Sequence, residues 1–132
     1  MTELNKIRSH KDLKLWQLGM EIAETIYDIS RSFPSDERFG ITSQLRRSAV
    51  SVPANIAEGN ARSSTKEYLY HLSIAIGSLA EVETLLDLAL RLKHGNSDAI
   101  RSLLNVLVEE RRMLRGLQRS LRAKLRLDTP DL

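Results

Sequence analysis

The chain predicts an all-α fold, a four-helix bundle of up-down-up-down order, and three observations carry that reading. Leucine outnumbers isoleucine and valine together by 22 to 14, glycine and proline total nine, and no Asn-Gly or Asp-Gly pair sits between alternating apolar runs. Apolar residues instead recur at helical spacing along four segments, about 10–32, 41–62, 64–93 and 98–127. Short polar stretches separate these segments, as in a bundle of sequential neighbours. With 132 residues, 42% of them hydrophobic, residues 1–132 read as a single domain around one core.

The first helix opens at Ser9-His10-Lys11-Asp12, a hydroxyl N-cap with a carboxylate three residues on, after a loose lead-in. Leu15, Ile22, Ile26, Ile29 and Phe33 mark its core face, with Trp16, Met20, Ala23 and Tyr27 beside it. Phe33-Pro34 ends it, because proline disfavours a helical residue before it, and 35–40 is a polar turn. In the second helix Leu45, Ala49, Val52 and Ile56 fall on one side. Gln44, Arg47, Ser51, Asn55, Glu58 and Arg62 fall on the other. The apolar face survives across Pro53, which favours one kinked helix over a break at 51–53.

Ser64-Thr65-Lys66-Glu67 reads as a capping box for the third helix. Tyr68, Leu72, Ala75, Leu79, Val82, Leu86 and Ala89 then form a heptad seam. Leu69, Ile74, Ile76, Leu85, Leu88 and Leu92 lie outside it, a second apolar surface that points to a homo-oligomer. At 94–97, Gly95 takes the usual C-terminal position of one helix and Asn96 or Ser97 caps the next. The fourth helix places Ile100, Leu103, Leu107, Leu114, Leu117, Leu121 and Leu125 on one arc before a frayed tail, 128–132.

Composition excludes several classes of function. The absence of cysteine removes disulfides, zinc-thiolate sites and thiol catalysis. The longest uncharged run, Tyr68 to Ala80, is too short for a bilayer span, and the N-terminus lacks a signal-peptide core, so the expected location is cytoplasmic, without membrane contact. His10, His71 and His94 have no metal-ligand spacing and read as capping or solvated residues. Glu81, Glu83, Glu109 and Glu110 could suggest a carboxylate pair. Without histidine partners they do not form a di-iron set, and Glu110, which projects into the apolar arc, reads as an arginine partner at an interface. No nucleophile motif and no phosphate-cradling glycine loop is present. The expectation is no enzyme, no cofactor and no metal.

The most informative functional feature is the charge of the fourth helix. Residues 99–127 hold Arg101, Arg111, Arg112, Arg115, Arg119, Arg122, Lys124 and Arg126 against Glu109 and Glu110, and the seven arginines project within an arc of about 100° beside the leucine face. Arginine suits bidentate phosphate contacts, so the stripe reads as a surface for the backbone of RNA or DNA, joined by Arg46, Arg47 and Arg62. The alternative is a solvated face, or a protein-binding scaffold whose arginines make subunit or partner salt bridges. No aromatic residues interleave with the stripe, which argues against base stacking.

The run Ile41-Thr42-Ser43-Gln44-Leu45-Arg46-Arg47-Ser48-Ala49-Val50-Ser51-Val52-Pro53-Ala54-Asn55-Ile56-Ala57-Glu58-Gly59 resembles the bacterial family associated with the intervening sequences of 23S rRNA genes, also labelled S23 ribosomal protein. Asp12-Leu13, Leu15-Trp16-Gln17, Phe33-Pro34, Glu37-Arg38-Phe39-Gly40, Ile74-Ala75, Gly77-Ser78-Leu79 and Glu81 extend the likeness over about 10–120. It departs at Ile76, where a basic residue is expected, and at Ser48, where alanine is. The resemblance implies a left-handed bundle, commonly a homopentameric ring, and an association with RNA. Its motif positions here are Gln44, Arg46, Arg47, Ser51, Pro53, Asn55, Glu58 and Gly59. A purely structural reading of them has Ser51 and Asn55 satisfying backbone groups freed by Pro53, and Arg47 pairing with Glu58.

Overall fold

A computed structural model describes residues 9–128, most of them in four helices: α1 Lys14–Ser30, α2 Ile41–Ala61, α3 Thr65–Leu92 and α4 Ser97–Asp128. The lead-in over 1–8 and the tail over 129–132 lie outside the described residues, while Asp128 is the last residue of α4. Packing follows chain order and closes on itself, α1 on α2, α2 on α3, α3 on α4 and α4 back on α1. The result is an all-α four-helix bundle. Each helix sends large aliphatic residues into one core, among them Ile22 and Ile26, Leu45 and Ile56, Leu72, Leu79 and Leu86, and Ile100, Leu107 and Leu114. Side chains buried this fully contribute roughly 1.5–3 kcal/mol each before the entropic cost of ordering them.

The helix ends differ from the sequence expectation in instructive ways. The Ser9 capping box forms, but it caps a 3-10 turn, His10–Asp12, and Leu13 is extended, so α1 begins at Lys14. Two contacts select this break. The Gln17 side-chain amide donates to the Lys11 carbonyl at 2.9 Å, and the His10 and Trp16 rings meet edge-on at 5.1 Å. Residues six apart lie on different faces of a continuous helix and could not meet in this way. At its other end α1 stops at Ser30. The bonds from Arg31, Ser32 and Phe33 to carbonyls three residues back tighten the chain ahead of Pro34.

α2 runs unbroken through Pro53. Between α3 and α4 the left-handed position at the helix end belongs to Lys93 (φ 60°), not to Gly95 as the sequence predicts. Gly95 has its own positive φ of 71°, and a Cβ there would lie 2.8 Å from the Phe33 ring. Asn96 supplies the cap, its side-chain oxygen accepting from the Ala99 amide at 3.0 Å. His94 reaches across to Glu37 at 3.0 Å, tying the α3–α4 turn to the α1–α2 turn. That hydrogen bond, with one from the Ile41 amide, holds the Glu37 carboxyl below the usual carboxylate range.

The α3 seam is buried from Leu72 to Ala89, with Tyr68 half-buried. The apolar surplus beside it divides: Leu85 joins the core, Leu69, Ile74 and Ile76 are half-buried, and Leu88 and Leu92 stay exposed. α4 outruns its neighbour. Gly19 faces Glu110, and α1 begins five residues before Gly19, so at about 1.5 Å per residue α1 covers only some 7 Å more of α4. Hence Leu117, Leu121 and Leu125, expected in the core arc, are only half-buried, and none of the described residues over 119–127 is buried.

Glu110 corrects a second expectation. Among the described residues it has no arginine partner and neither carboxylate oxygen has a hydrogen-bond partner; its side chain is fully buried, and a Cβ on Gly19 would lie 2.9 Å from its Oε2 and 3.5 Å from the Pro53 ring. Desolvation disfavours the charged form and pushes its pKa up to about 8. The folded protein therefore binds a proton here that the unfolded chain releases near 4.5, and stability falls as pH rises from about 5 to 8. Glu110→Met is expected to raise the midpoint of thermal unfolding by more at pH 9 than at pH 5. The wild-type chain should lose up to about 1.4 kcal/mol per pH unit between about pH 5 and pH 8, a slope the variant lacks.

Candidate nucleic-acid interface

The cationic stripe is real as a surface. From Arg111 to Arg126, α4 carries seven cations and no carboxylate, and Arg112, Arg115, Arg119, Arg122, Lys124 and Arg126 are exposed. Its charges are not equivalent. Arg111 is half-buried and pairs with Glu83 of α3, while Arg112 pairs with Glu109 one turn back. Arg115 donates to the Gln118 side chain at 3.2 Å. Arg119, Arg122 and Arg126 form no ion pair among the described residues, and neither does Arg101 near the other end of α4. Asn105 and exposed Val108 separate Arg101 from the rest, so the free positive charge gathers where α4 runs beyond α1. Positions 115, 119, 122 and 126 form a ridge of steps of four, three and four, about 16 Å long.

Of the second-helix positions, Arg62 is neutralised by Glu58 at 2.7 Å. Arg47 does not pair with Glu58. The two are three helical turns apart, about 16 Å along the axis, which no arginine can span. Arg46 is anchored at the α1–α2 face. Its Nε donates to Ser30 Oγ at 2.8 Å, and its guanidinium lies 4.7 Å from the centre of the Tyr27 ring.

The polar face of α2 is largely a seam against α3. The Ser51 and Ser78 hydroxyls are 2.8 Å apart, and Asn55 Nδ2 donates to the Ser51 carbonyl at 2.9 Å and its hydroxyl at 3.0 Å. With its nitrogen so engaged, Asn55 presents its oxygen to His71 Nδ1 at 3.0 Å, which calls for the Nδ1-protonated tautomer. His71 is thus a buried histidine with a dedicated partner, not the solvated or capping residue its position in the sequence suggests. Gly59 completes the seam: a Cβ there would lie 2.9 Å from both His71 Cβ and the Tyr68 ring. The structural reading of Asn55 is corrected in detail, since its bond goes to the Ser51 carbonyl, whereas Pro53 frees that of Ala49. Gln44 stays exposed, in a shallow groove with Arg47, Ser48, Ser51, Ser78 and Glu81.

A cavity of about 440 Å³ opens between α1 and α2, lined by Tyr27, Arg38, Thr42, Ser43, Arg46, Arg47 and Val50. Sequence reasoning missed Tyr27, Arg38, Thr42 and Ser43. Thr42 and Arg46 share a face of α2 at a spacing of four, while Arg38 lies in the turn before α2 and carried no periodic signal. Among the described residues no group of three or more His, Asp or Glu could hold a metal ion, and no helix is long and apolar enough to cross a membrane.

These features define a class, a helical bundle whose polar seam is structural and whose cations collect on one outer helix. The particular family follows: the chain belongs to the 23S rRNA-intervening sequence protein family, whose model matches residues 11–116. A crystal structure of a protein of unknown function from the S23 ribosomal protein family of Bacteroides thetaiotaomicron is similar in fold, with a TM-score of 0.73 at 24% identity over 80% of this chain and 95% of that one. No curated protein matches.

The motif that carries the family likeness is therefore mainly architectural at Ser51, Asn55 and Gly59. Replacing Asn55 with Ala removes the hydrogen bond to buried His71, leaving only the Glu58 carboxylate 3.8 Å away, and should cost about 1–3 kcal/mol in urea unfolding.

Proposed function

We propose that this protein is a non-enzymatic, cytoplasmic homo-oligomer that binds RNA or DNA through backbone phosphates. The subunit is read as a left-handed up-down-up-down bundle and the assembly as a homopentameric ring. The observation that carries the reading is the ridge Arg115, Arg119, Arg122 and Arg126. It lies in a stretch with no carboxylate, and from Arg119 onward it runs beyond the start of α1. Convergent unpaired cations raise the local potential and favour a polyanion, and copies around a ring reinforce one another. The family's link to rRNA genes agrees with that partner. Exposed Leu88, Leu92, Val106 and Val108 supply apolar surface for self-association.

Exposed Val108 beside the stripe, together with the Arg111–Glu83 pair between helices, favours a second reading, a protein-binding scaffold whose arginines make salt bridges. One experiment separates the two. Replacing Arg115, Arg119 and Arg122 together with Gln should weaken RNA binding across sequences and flatten the slope of log affinity against log salt by about 2–3. The checks are fluorescence anisotropy across a salt series and the assembly mass in solution. Unchanged affinity with an altered mass would replace the nucleic-acid reading with the scaffold.

A further inference from the structure

The α1–α2 cavity has no role in the reading above, and its wall is chemically one-sided. Three of its seven lining residues are arginines and none is a carboxylate. Arg38, Arg46 and Arg47 form no ion pair among the described residues. Of the acids around it, Asp28 pairs with Arg31 at 2.7 Å and Glu37 with His94 at 3.0 Å, while Glu81 shares the neighbouring groove with Arg47 and Glu24 lies near Tyr27 and Val50, and none of the four lines this cavity. Like charges brought to one concave wall repel one another, and an anion relieves that repulsion.

Arg46 is held in place before any ligand arrives. Ser30 Oγ accepts from its Nε at 2.8 Å, the Tyr27 carbonyl from its Nη2 at 3.5 Å, and the guanidinium packs over the Tyr27 ring. Nη1 makes no hydrogen bond among the described residues. Arg38 leans on the Phe39 ring at 4.9 Å, and Arg47 is exposed and has no hydrogen bond or ion pair among the described residues. Thr42 is buried, lines the same wall, and its hydroxyl has no hydrogen-bond partner among the described residues. A rigid guanidinium, two adaptable ones and a free hydroxyl are donors that suit an oxyanion with several acceptor oxygens and more than one negative charge.

We propose that this cavity binds a phosphate monoester, carried either by a free nucleotide or by the 5′ end of a nucleic-acid strand. The site is separate from the α4 ridge and does not depend on it.

The test uses the full chain, isotope-labelled for NMR, titrated with inorganic phosphate, AMP and, as the uncharged control, adenosine. Anisotropy then compares one short oligonucleotide with a 5′-phosphate and with a 5′-hydroxyl at fixed salt. AMP and phosphate should shift the amides of Thr42 and Ser43, and adenosine should not. Arg46→Gln disturbs contacts with Ser30 and Tyr27, so Arg38→Gln, whose side chain leans on the exposed Phe39 ring, and Arg47→Gln carry the comparison, neither arginine forming a hydrogen bond or ion pair among the described residues. Each should weaken AMP binding by about tenfold, the loss of one charge-assisted contact. The Arg115, Arg119 and Arg122 variant should leave it unchanged. Binding of AMP and phosphate without a 5′-phosphate preference assigns a free-nucleotide site. A preference of about tenfold for the phosphorylated strand, lost in Arg47→Gln, assigns a strand-end site. No amide shift together with no 5′ preference, or AMP binding indifferent to both arginine variants, overturns the proposal.

Discussion

How closely α2 can approach α3 governs the rest of this bundle. Along that seam the side chains are small or mutually bonded: Ala49 and Ala75 in the core, the paired hydroxyls of Ser51 and Ser78, and Gly59 beneath His71 and Tyr68. Helices meeting through such residues bring polar groups within bonding reach, and polar groups buried at that separation must find partners. Asn55 is the residue that makes this work. It engages Ser51 within α2 and His71 across the seam, so one amide satisfies both helices. Ser48, where the family pattern suggests alanine, is likewise buried on the same helix.

With α2 and α3 locked, the bundle closes around α1, and the match is imperfect in length. α1 has 17 residues and α4 has 32, so the far part of α4 cannot be enclosed on every side. A helix in that position keeps only one apolar stripe against α3 and turns the remainder to solvent, which tolerates many cations at small cost. The arginines concentrate there for this reason, and the two nearest the enclosed part, Arg111 and Arg112, are the ones with carboxylate partners. Where α1 does flank α4, Gly19 leaves room for a carboxylic acid behind Pro53. Glu110 fills that room at a cost in desolvation, so the site is neutral in the folded state near pH 7.

Two cationic features emerge, and they differ in kind. The α4 ridge is convex and exposed, and its charges lie along a line, a geometry that suits an extended polyanion. The α1–α2 cavity is concave and small, and one of its guanidiniums is already oriented by Ser30 and Tyr27. A preoriented donor loses less freedom on binding and discriminates more by shape. The two surfaces can therefore serve different parts of one ligand, or different ligands, without competing for the same residues.

Much of this was legible in the sequence. The four helices, the heptad seam of α3, the passage of α2 through Pro53 and the basic face of α4 all follow from period and spacing, which act between residues close in the chain. What the sequence could not decide were contacts outside the helical repeat, some within one turn of chain and most between different helices. His10 with Trp16 and Gln17 with Lys11 break the first helix; His71 is buried because Asn55 reaches it across the α2–α3 seam; Glu110 meets Gly19 and Pro53 instead of an arginine. The cavity needed Tyr27 from one helix and Arg38, Thr42 and Arg46 from the next turn and helix to converge. Local periodicity determines which face of a helix is apolar. Only the packed structure decides which polar groups meet, because that depends on helix lengths and on the close approaches that small residues allow.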